Sequence, residues 1–440
     1  MTFSQLIQRL KTSDIAHRMA SGAFWSFTGT ALGKFIVLLT GIVCARILGK
    51  EVFGQLGIVR STIGMFIVLG TGGIGVTATR FIASNREKDK AHAASIYLLS
   101  SRFAWFTGLL VMLIMVALSS TLARQVLHSP ELTLSLQLGC LMLLVSILNG
   151  SENGTLLGFE DFRAVAINTF IGSVFEAVCM IAGAYFYQLE GAVLGFGIGV
   201  LVLYAANWLS VRKAFRKWGI TTKGQKIWRS DWHILYKFSI PATLSALTIT
   251  PVFWLIRSML VRNDGYGELA IFEAADQWKV IILFIPGAIS QIALPILSSV
   301  IDEKRFKNTL LANIGLIAVV STVLALLIAL LSPIIMPLYG QTFTDTLTLS
   351  LLAASTIPSA ISNVLEMSVY SRDKMWTCFG FNIAWAVLTV LFAHLFLNAG
   401  MGASALALAV LLSYLAKTAY MSIYMYALIG KDKANNESHQ

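Results

Sequence analysis

Six cationic residues lie within stretches so apolar that they are expected to cross a membrane. They are Lys34, Arg60, Arg102, Arg257, Lys279 and Lys417. A charged side chain at the centre of a membrane helix costs about 2.5–3.5 kcal/mol on insertion scales, so it persists where it faces a partner or a wet cavity. A cavity lined by positive charge favours an anionic ligand. The pattern therefore predicts a carrier of an anionic substrate.

Lys34 and Arg60 are the strongest candidates for binding that substrate. Lys34 lies midway along the first apolar stretch, and Arg60 lies about two helical turns inside the second. At its depth the Lys34 side chain does not easily reach water by extending along its helix. Arg102 and Lys417 are closer to the ends of their spans, and we interpret both as structural.

Arg257 and Lys279 complete the predicted substrate-binding set, although each has a simpler explanation. Arg257 lies near the outer end of its span, so its side chain could instead extend to water. Lys279 follows Asp276 by three residues, with Glu273 one turn earlier. Opposite charges at that spacing on one helix neutralise each other without any ligand.

Carboxylates inside the spans are the residues that could couple transport to a proton or sodium gradient. The candidates are Glu176, Glu366 and Asp276. A carboxylate without a neighbouring cation binds a proton more readily than one beside a cation. This favours Glu176 and Glu366, which the sequence shows without a nearby cation, over Asp276. Alternatively, the carboxylates pair with the intramembrane cations and only keep the protein interior neutral.

The composition is that of an integral membrane protein with an all-α fold. The 440 residues are 56% hydrophobic and only 12% charged, about half the charge of ordinary soluble domains. Stretches of about 20 apolar residues cross a bilayer as helices, and they predict about twelve spans. These begin near Gly22, Phe53, Ala94, Leu132, Val165, Gly191, Ser239, Glu268, Thr309, Leu347, Met375 and Met401.

The distribution of basic residues indicates the orientation in the membrane. Most of the 33 Lys and Arg residues fall on the side of the N-terminus, and the opposite loops hold only Arg46, Lys50, Arg124 and Arg262. Cytoplasmic loops carry the excess of positive charge, so both termini are expected in the cytoplasm. The net charge of +11 therefore indicates orientation and contact with anionic lipids. No nucleic-acid partner is expected.

The two halves of the sequence resemble each other. Residues 53–58 (FGQLGI) match residues 266–271 (YGELAI). Six spans per half would give both halves the same orientation, and parallel repeats of this kind place a substrate site near the midplane between them. We expect an N-terminal half at 1–211, a basic cytoplasmic linker at 212–237, a C-terminal half at 238–430 and a disordered tail at 431–440.

The remaining motifs predict a transporter without metal or cofactor, and no enzyme. Residues 70–75 (GTGGIG) look like a dinucleotide-binding loop, but no strand precedes them, so a helix break or close helix packing explains them better. Polar residues at 149–155, around Glu152, predict a wet surface at one end of span four. The histidines and cysteines show no metal-ligand spacing, and no nucleophile motif has a suitable context.

Several short motifs follow one another along nearly the whole chain. They are 45–49 (ARILG) with 53–54 (FG), 73–75 (GIG) with 80–82 (RFI), 157–158 (LG) with Phe159 and Phe162, 239–241 (SIP), 294–298 (LPILS), and 338–340 (LYG) with Phe343. In order and spacing they resemble the polysaccharide-export branch of the multidrug/oligosaccharidyl-lipid/polysaccharide flippase superfamily.

This resemblance implies two six-helix bundles around a central cavity and transport by alternating access. Proteins of this branch resemble O-antigen translocases, which move an undecaprenyl-diphosphate-linked oligosaccharide across the bacterial inner membrane. Lys34 and Arg60 occupy places comparable to cavity cations of related lipid flippases. The implied partners are a polyprenyl-diphosphate-linked glycan, membrane lipids and other polysaccharide-assembly proteins.

Three other protein classes are alternatives. A multidrug exporter of the same superfamily would take cationic substrates, which cavity cations disfavour. A major-facilitator-type transporter also has twelve spans, but its Asp-Arg-x-Gly-Arg loop is replaced here by NREKDK at 85–90. A glycan ligase or polymerase would need a large outer loop with reactive polar residues, whereas the loops on that side are short.

Overall fold

Helices make up nearly all of the described part of the chain. The structure is a computed structural model and describes residues 14–71, 73–225, 227, 240–290, 303–372 and 374–438. Its helices are α1 Asp14–Thr71, α2 Ile74–Asn85, α3 Lys90–Thr121, α4 Leu132–Gly158, α5 Phe162–Trp218, α6 Ile240–Ile282, α7 Glu303–Ile335, α8 Thr346–Tyr370, α9 Met375–Asn398 and α10 Ala403–Ser438. Helices satisfy their own backbone hydrogen bonds, as a lipid environment requires.

The described helices confirm the all-α membrane fold. Eight of them contain stretches long and apolar enough to cross a bilayer by length and composition. Large apolar side chains also cover the outside of the protein; Leu330, for example, is 78% exposed. Such a surface suits lipid and would be unfavourable in water. The described residues do not include the motif at 294–298, residue 239 or the linker residues 228–237.

Three of the long helices contain a sharp interruption, which lets each supply two of the expected spans. Gly49 interrupts α1 with φ 76° and ψ 171°, and Gly265 interrupts α6 with φ 85° and ψ −179°. Only glycine adopts this conformation readily, and the two glycines occupy comparable places beside the repeated sequences. The α5 helix is interrupted at Tyr187 and Gln188.

The expected helix break in the glycine-rich stretch is confirmed, and so is the expected close packing. The α1 helix ends at Thr71, and Gly73 has a left-handed φ of 65° just before α2. Gly75 of α2 then lies against Gly154 of α4, and the Thr79 hydroxyl donates to the Gly154 carbonyl over 2.9 Å. Small residues allow membrane helices to approach this closely.

Replacing Gly154 with valine is expected to destabilise the protein by about 1–3 kcal/mol through overpacking. A Cβ atom at Gly154 would lie 2.6 Å from the Cα atom of Gly75, so the backbone would have to move. Thermal unfolding in detergent measures the effect. Gly64→Val is the matched control, because a Cβ there meets no heavy atom within 4 Å. Equal unfolding midpoints for the two variants would contradict the prediction.

The motif at 157–162 forms the turn between α4 and α5. Arg86 holds this turn: its guanidinium donates to the Gly158 carbonyl at 2.9 Å and pairs with Glu160 at 2.5 Å. Glu160 has a positive φ of 59°, and the Asp161 carboxylate accepts from the Ala164 amide at 3.1 Å to cap α5. The motif thus stabilises the end of α4.

The chain divides into two compact units. The first comprises Met1–Thr40, Thr62–Arg124 and Ser129–Leu247, and the second comprises Gly41–Ser61, Gln125–His128 and Thr248–Gln440. The short segments of the second unit belong to the first half of the sequence, so the units follow the halves only in broad terms. The expected domain boundaries remain a prediction. The α10 helix extends to Ser438. Residues 431–438 of the tail that was expected to be disordered are therefore helical.

Candidate functional site

Lys34 is a half-buried cation in the first unit. Its ammonium group forms no ion pair and no hydrogen bond with the described residues. Small residues bring this part of α1 close to α5: a Cβ at Gly29 would lie 2.6 Å from the Cα of Ala166, and one at Gly33 would lie 3.3 Å from Ser173 Oγ. The Lys34 charge is therefore placed in a membrane span without a described counter-ion, and it could pair with an anionic ligand.

Arg60 is also half-buried, and it belongs to the second unit. The preceding turn of its helix packs against α6. A Cβ at Gly54 would lie 3.2 Å from the Ala270 amide nitrogen, and one at Gly57 would lie 3.0 Å from Glu273 Cδ. The two repeated sequences thus contact each other within one unit. Whether Arg60 and Lys34 bind one substrate remains a prediction.

Arg257 and Lys279 belong to a buried network of four charges within α6. Arg257 pairs with Glu273 through Nε and with Asp276 through Nη2 at 2.9 Å. Lys279 pairs with Asp276 at 2.7 Å. Arg257 is only 8% exposed, so it turns inward and does not extend to water. An anionic substrate would have to displace a carboxylate to bind either cation, although both remain predicted binding residues.

Lys417 and Glu366 form a second buried pair, between α10 and α8. The Lys417 ammonium donates to Glu366 Oε1 at 2.8 Å and to Asn382 Oδ1 at 2.7 Å. The expectation that Glu366 has no neighbouring cation is therefore wrong, because its partner is distant in sequence and adjacent in the fold. The interpretation of Lys417 as structural agrees with this pair. Arg102, by contrast, is exposed on α3.

The other two predicted ion-coupling carboxylates have different surroundings. Asp276 accepts from both Lys279 and Arg257, and such pairing favours its ionised form over a proton-carrying one. Glu176 is half-buried on α5. Its backbone packs directly against Gly199, which has no side chain to prevent the contact. The role of Glu176 in ion coupling remains a prediction. Within the described ranges, no three His, Cys, Asp or Glu side chains lie close enough to hold a metal ion.

Glu152 is a buried acidic residue that the sequence did not indicate as a candidate site residue. The expected wet surface around it is wrong, because Ser151, Glu152 and Thr155 are all buried. Glu152 Oε1 accepts from the Tyr97 hydroxyl at 3.1 Å, and Oε2 is buried with no hydrogen-bond partner among the described residues. Dense polar residues suggest solvent in a soluble helix, but in a membrane bundle they face the interior. Applied to the sequence, this preference of polar residues for the bundle interior would have predicted that Glu152 is buried.

Buried amides next to Glu152 connect α4 with both segments of α5, the one before and the one after its interruption at 187–188. Asn207 donates to Asn149 at 2.8 Å, and Asn168 donates to Asn207 and to Ser210, both at 2.9 Å. Hydrogen bonds of this kind between membrane helices contribute about 1 kcal/mol each. The amides therefore orient the helices around Glu152.

A family model and several curated proteins match this chain. A family model described as polysaccharide biosynthesis protein matches residues 19–301. The EPS I polysaccharide export inner membrane protein EpsE of Ralstonia nicotianae is 28% identical over 207 residues, which cover 44% of this chain and 47% of that protein. The chain thus matches about half the length of its EpsE relatives. The lipid III flippase of Escherichia coli is 22% identical over 301 residues, covering 65% of this chain and 68% of that protein.

Solved structures share the fold at low sequence identity. An inward-facing multidrug resistance MATE family transporter of the MOP superfamily superposes with a TM-score of 0.79 at 17% identity, covering 91% of this chain and 96% of that one. A MOP superfamily transporter from Pyrococcus furiosus, described as having a binding pocket of reverse polarity, gives 0.66 at 16% identity, covering 96% and 97%. These similarities support the two-bundle helical fold.

Proposed function

Since the chain belongs to the polysaccharide biosynthesis protein family, we propose that it is a flippase for a polyprenyl-diphosphate-linked oligosaccharide, such as an O-antigen repeat unit. It would act in the bacterial inner membrane, with both termini in the cytoplasm. Two relatives support this assignment, because one is named as a polysaccharide export protein and the other as a lipid III flippase. The observation that carries the proposal is Lys34, a membrane-span cation without a counter-ion among the described residues.

The substrate class follows from the charge that Lys34 would have to meet. A diphosphate presents several strong acceptors, and charge-assisted hydrogen bonds to lysine or arginine are about twice as strong as neutral ones. Lysine binds phosphate as a point charge, whereas the planar guanidinium of Arg60 could form two parallel bonds. Lys34 and Arg60 are therefore the primary proposed binding residues. Arg257 and Lys279 are secondary, because carboxylates already neutralise them.

The proposed mechanism makes and breaks no covalent bond of the substrate. The diphosphate and glycan would move through a hydrated path, while the polyprenyl chain remains in lipid, where its burial is favourable. Alternating access would open the binding site first to one side of the membrane and then to the other. The protein thereby lowers the free energy of carrying a polar head group across hydrocarbon.

Deleting the gene and locating the lipid-linked glycans tests the proposed function. We expect the polyprenyl-linked repeat unit to accumulate on the cytoplasmic face, where an impermeant glycan-binding probe cannot reach it in intact spheroplasts. Wild-type protein should restore its appearance on the outer face. Unchanged glycan distribution in the deletion strain would contradict the proposal.

A multidrug exporter is the second candidate, because the MATE-like fold accommodates that activity in a solved relative. Strong drug efflux that is unaffected by Lys34→Ala would favour the exporter. Glycosyl transfer by the purified protein would instead indicate an enzyme.

A further inference from the structure

The first unit contains a buried carboxyl group for which the proposed mechanism has no role so far. Glu152 is only 3% exposed, and its Oε2 atom lacks a hydrogen-bond partner in the part of the chain that the structure describes. The neighbouring Ser151 Oγ is also buried and has no hydrogen-bond partner within the described ranges. Burying an ionised oxygen without a hydrogen bond is far less favourable than burying a neutral acid.

We propose that Glu152 is a proton-exchange site, which binds a proton in one state of the transport cycle and releases it in another. Proton binding by Glu152 does not depend on the proposed function. Only the link between that proton and transport rests on the proposed function. The proton comes from water and returns to water. The O–H bond of the carboxyl group forms and breaks, and no other bond changes.

The helices packed against Glu152 supply few ionisable groups. Tyr97 of α3 donates to it, the positive charge of Arg212 of α5 acts on it, and its own charge acts on Tyr204 of α5. The α2 helix faces α4 through glycine and threonine, and its only ionisable residue, Arg80, is exposed. On α4 itself, Glu152 is the only acidic or basic residue.

These surroundings make both protonation states accessible. Burial and the unpartnered oxygen favour the neutral acid, whereas the Tyr97 hydroxyl and the positive charge of Arg212 favour the carboxylate. Tyr97 is itself held in place by Phe215, because their rings pack edge to face with centroids 4.8 Å apart. Tyr97, which favours the ionised form of Glu152, therefore has a defined position.

The location also gives the proton a short route to water. Glu152 lies six residues before the end of α4 at Gly158, which corresponds to about 9 Å along a helix. Arg212 lies at the matching depth of α5 and is exposed. Glu152 is therefore close to one end of its helix and far from the other.

The ligand that fits this site is a proton, because metal cations need several oxygen ligands. The oxygens of the nearby Asn149 and Asn207 amides already accept hydrogen bonds, at 2.8 and 2.9 Å. Glu366 and Asp276 are less suitable as proton carriers than Glu152, because each accepts a hydrogen bond from a buried cation.

Infrared difference spectroscopy of the full-length protein in lipid nanodiscs tests proton binding directly. Between alkaline and acidic buffer, we expect a C=O stretching band of a protonated carboxyl group in the wild type that is missing in Glu152→Gln. Glu131→Gln, which changes an exposed carboxyl group at the start of α4, is the matched control and should retain this band. A band that persists unchanged in Glu152→Gln would overturn the proposal.

A transport assay in proteoliposomes tests the link to the cycle. We expect a pH gradient to accelerate translocation of a polyprenyl-diphosphate glycan by wild-type protein. Glu152→Gln should lose that acceleration, while the exposed control Glu131→Gln keeps it. Equal acceleration in Glu152→Gln and wild type would overturn the coupling role. If wild-type protein translocates no such lipid, the proposed function fails, and the infrared result still decides whether Glu152 binds a proton.

Discussion

Replacing Lys34 with alanine is expected to lower translocation of the lipid-linked glycan roughly 10- to 100-fold. A hydrogen bond to a charged group contributes about 1.5–3 kcal/mol, and each 1.4 kcal/mol corresponds to a tenfold change in binding. Lys34 has no described counter-ion, so its removal leaves no carboxylate without a partner. The variant should therefore remain folded and lose substrate binding. Complementation of a deletion strain, with lipid-linked glycan measured on the outer face, gives the magnitude.

Two further variants separate the effect of charge from other effects. Lys34→Arg keeps a positive charge and should retain more activity than Lys34→Ala, although the shape of the head group differs. Arg102→Ala removes an exposed cation from the same unit and should transport nearly as well as wild type. Normal translocation by Lys34→Ala, at an equal amount of protein in the membrane, would remove Lys34 from the binding site.

Replacing Arg257 with alanine is expected to destabilise the protein by about 3–5 kcal/mol, the usual effect of removing one partner of a buried ion pair. Glu273 would lose its guanidinium partner, and Asp276 would keep only Lys279. Both carboxylates are largely buried and would carry charge without full compensation. The unfolding temperature in detergent and the amount of folded protein in membranes measure the loss.

A double variant tests whether uncompensated charge is the cause. Arg257→Met combined with Glu273→Met removes one charge of each sign and leaves Asp276 paired with Lys279 at 2.7 Å. The double variant should recover much of the lost stability, since apolar residues often replace a buried ion pair without loss. If the double variant is less stable than the single one, charge imbalance does not explain the effect.

The spans, the helix break and the class of protein were predictable because they depend on local features. A run of apolar residues long enough to cross a bilayer needs a helix wherever it occurs. The glycines before α2 allow a break that other residues would resist, and Gly73 adopts the left-handed conformation there. The short family motifs are also local, and they led to the family that matches residues 19–301.

The surroundings of Glu152 could not be predicted in the same way. Its neighbours in sequence are polar, which suggested contact with water, but the structure buries it between helices that the sequence does not place together. Tyr97 is 55 residues away in the chain and donates to it directly. A hydrophobicity pattern gives the length of a span, and it does not identify which face of the span contacts another helix.

The sequence by itself determined the membrane class, the approximate spans and the cations that require an explanation. Only the tertiary structure decided which of those cations have partners. Lys417 binds Glu366 across 51 positions of sequence, and Arg257 binds Glu273 across the turn at Gly265. Charge–charge contacts depend on distances of a few ångströms between helices, and such distances are set by packing, which residue spacing along one helix does not specify.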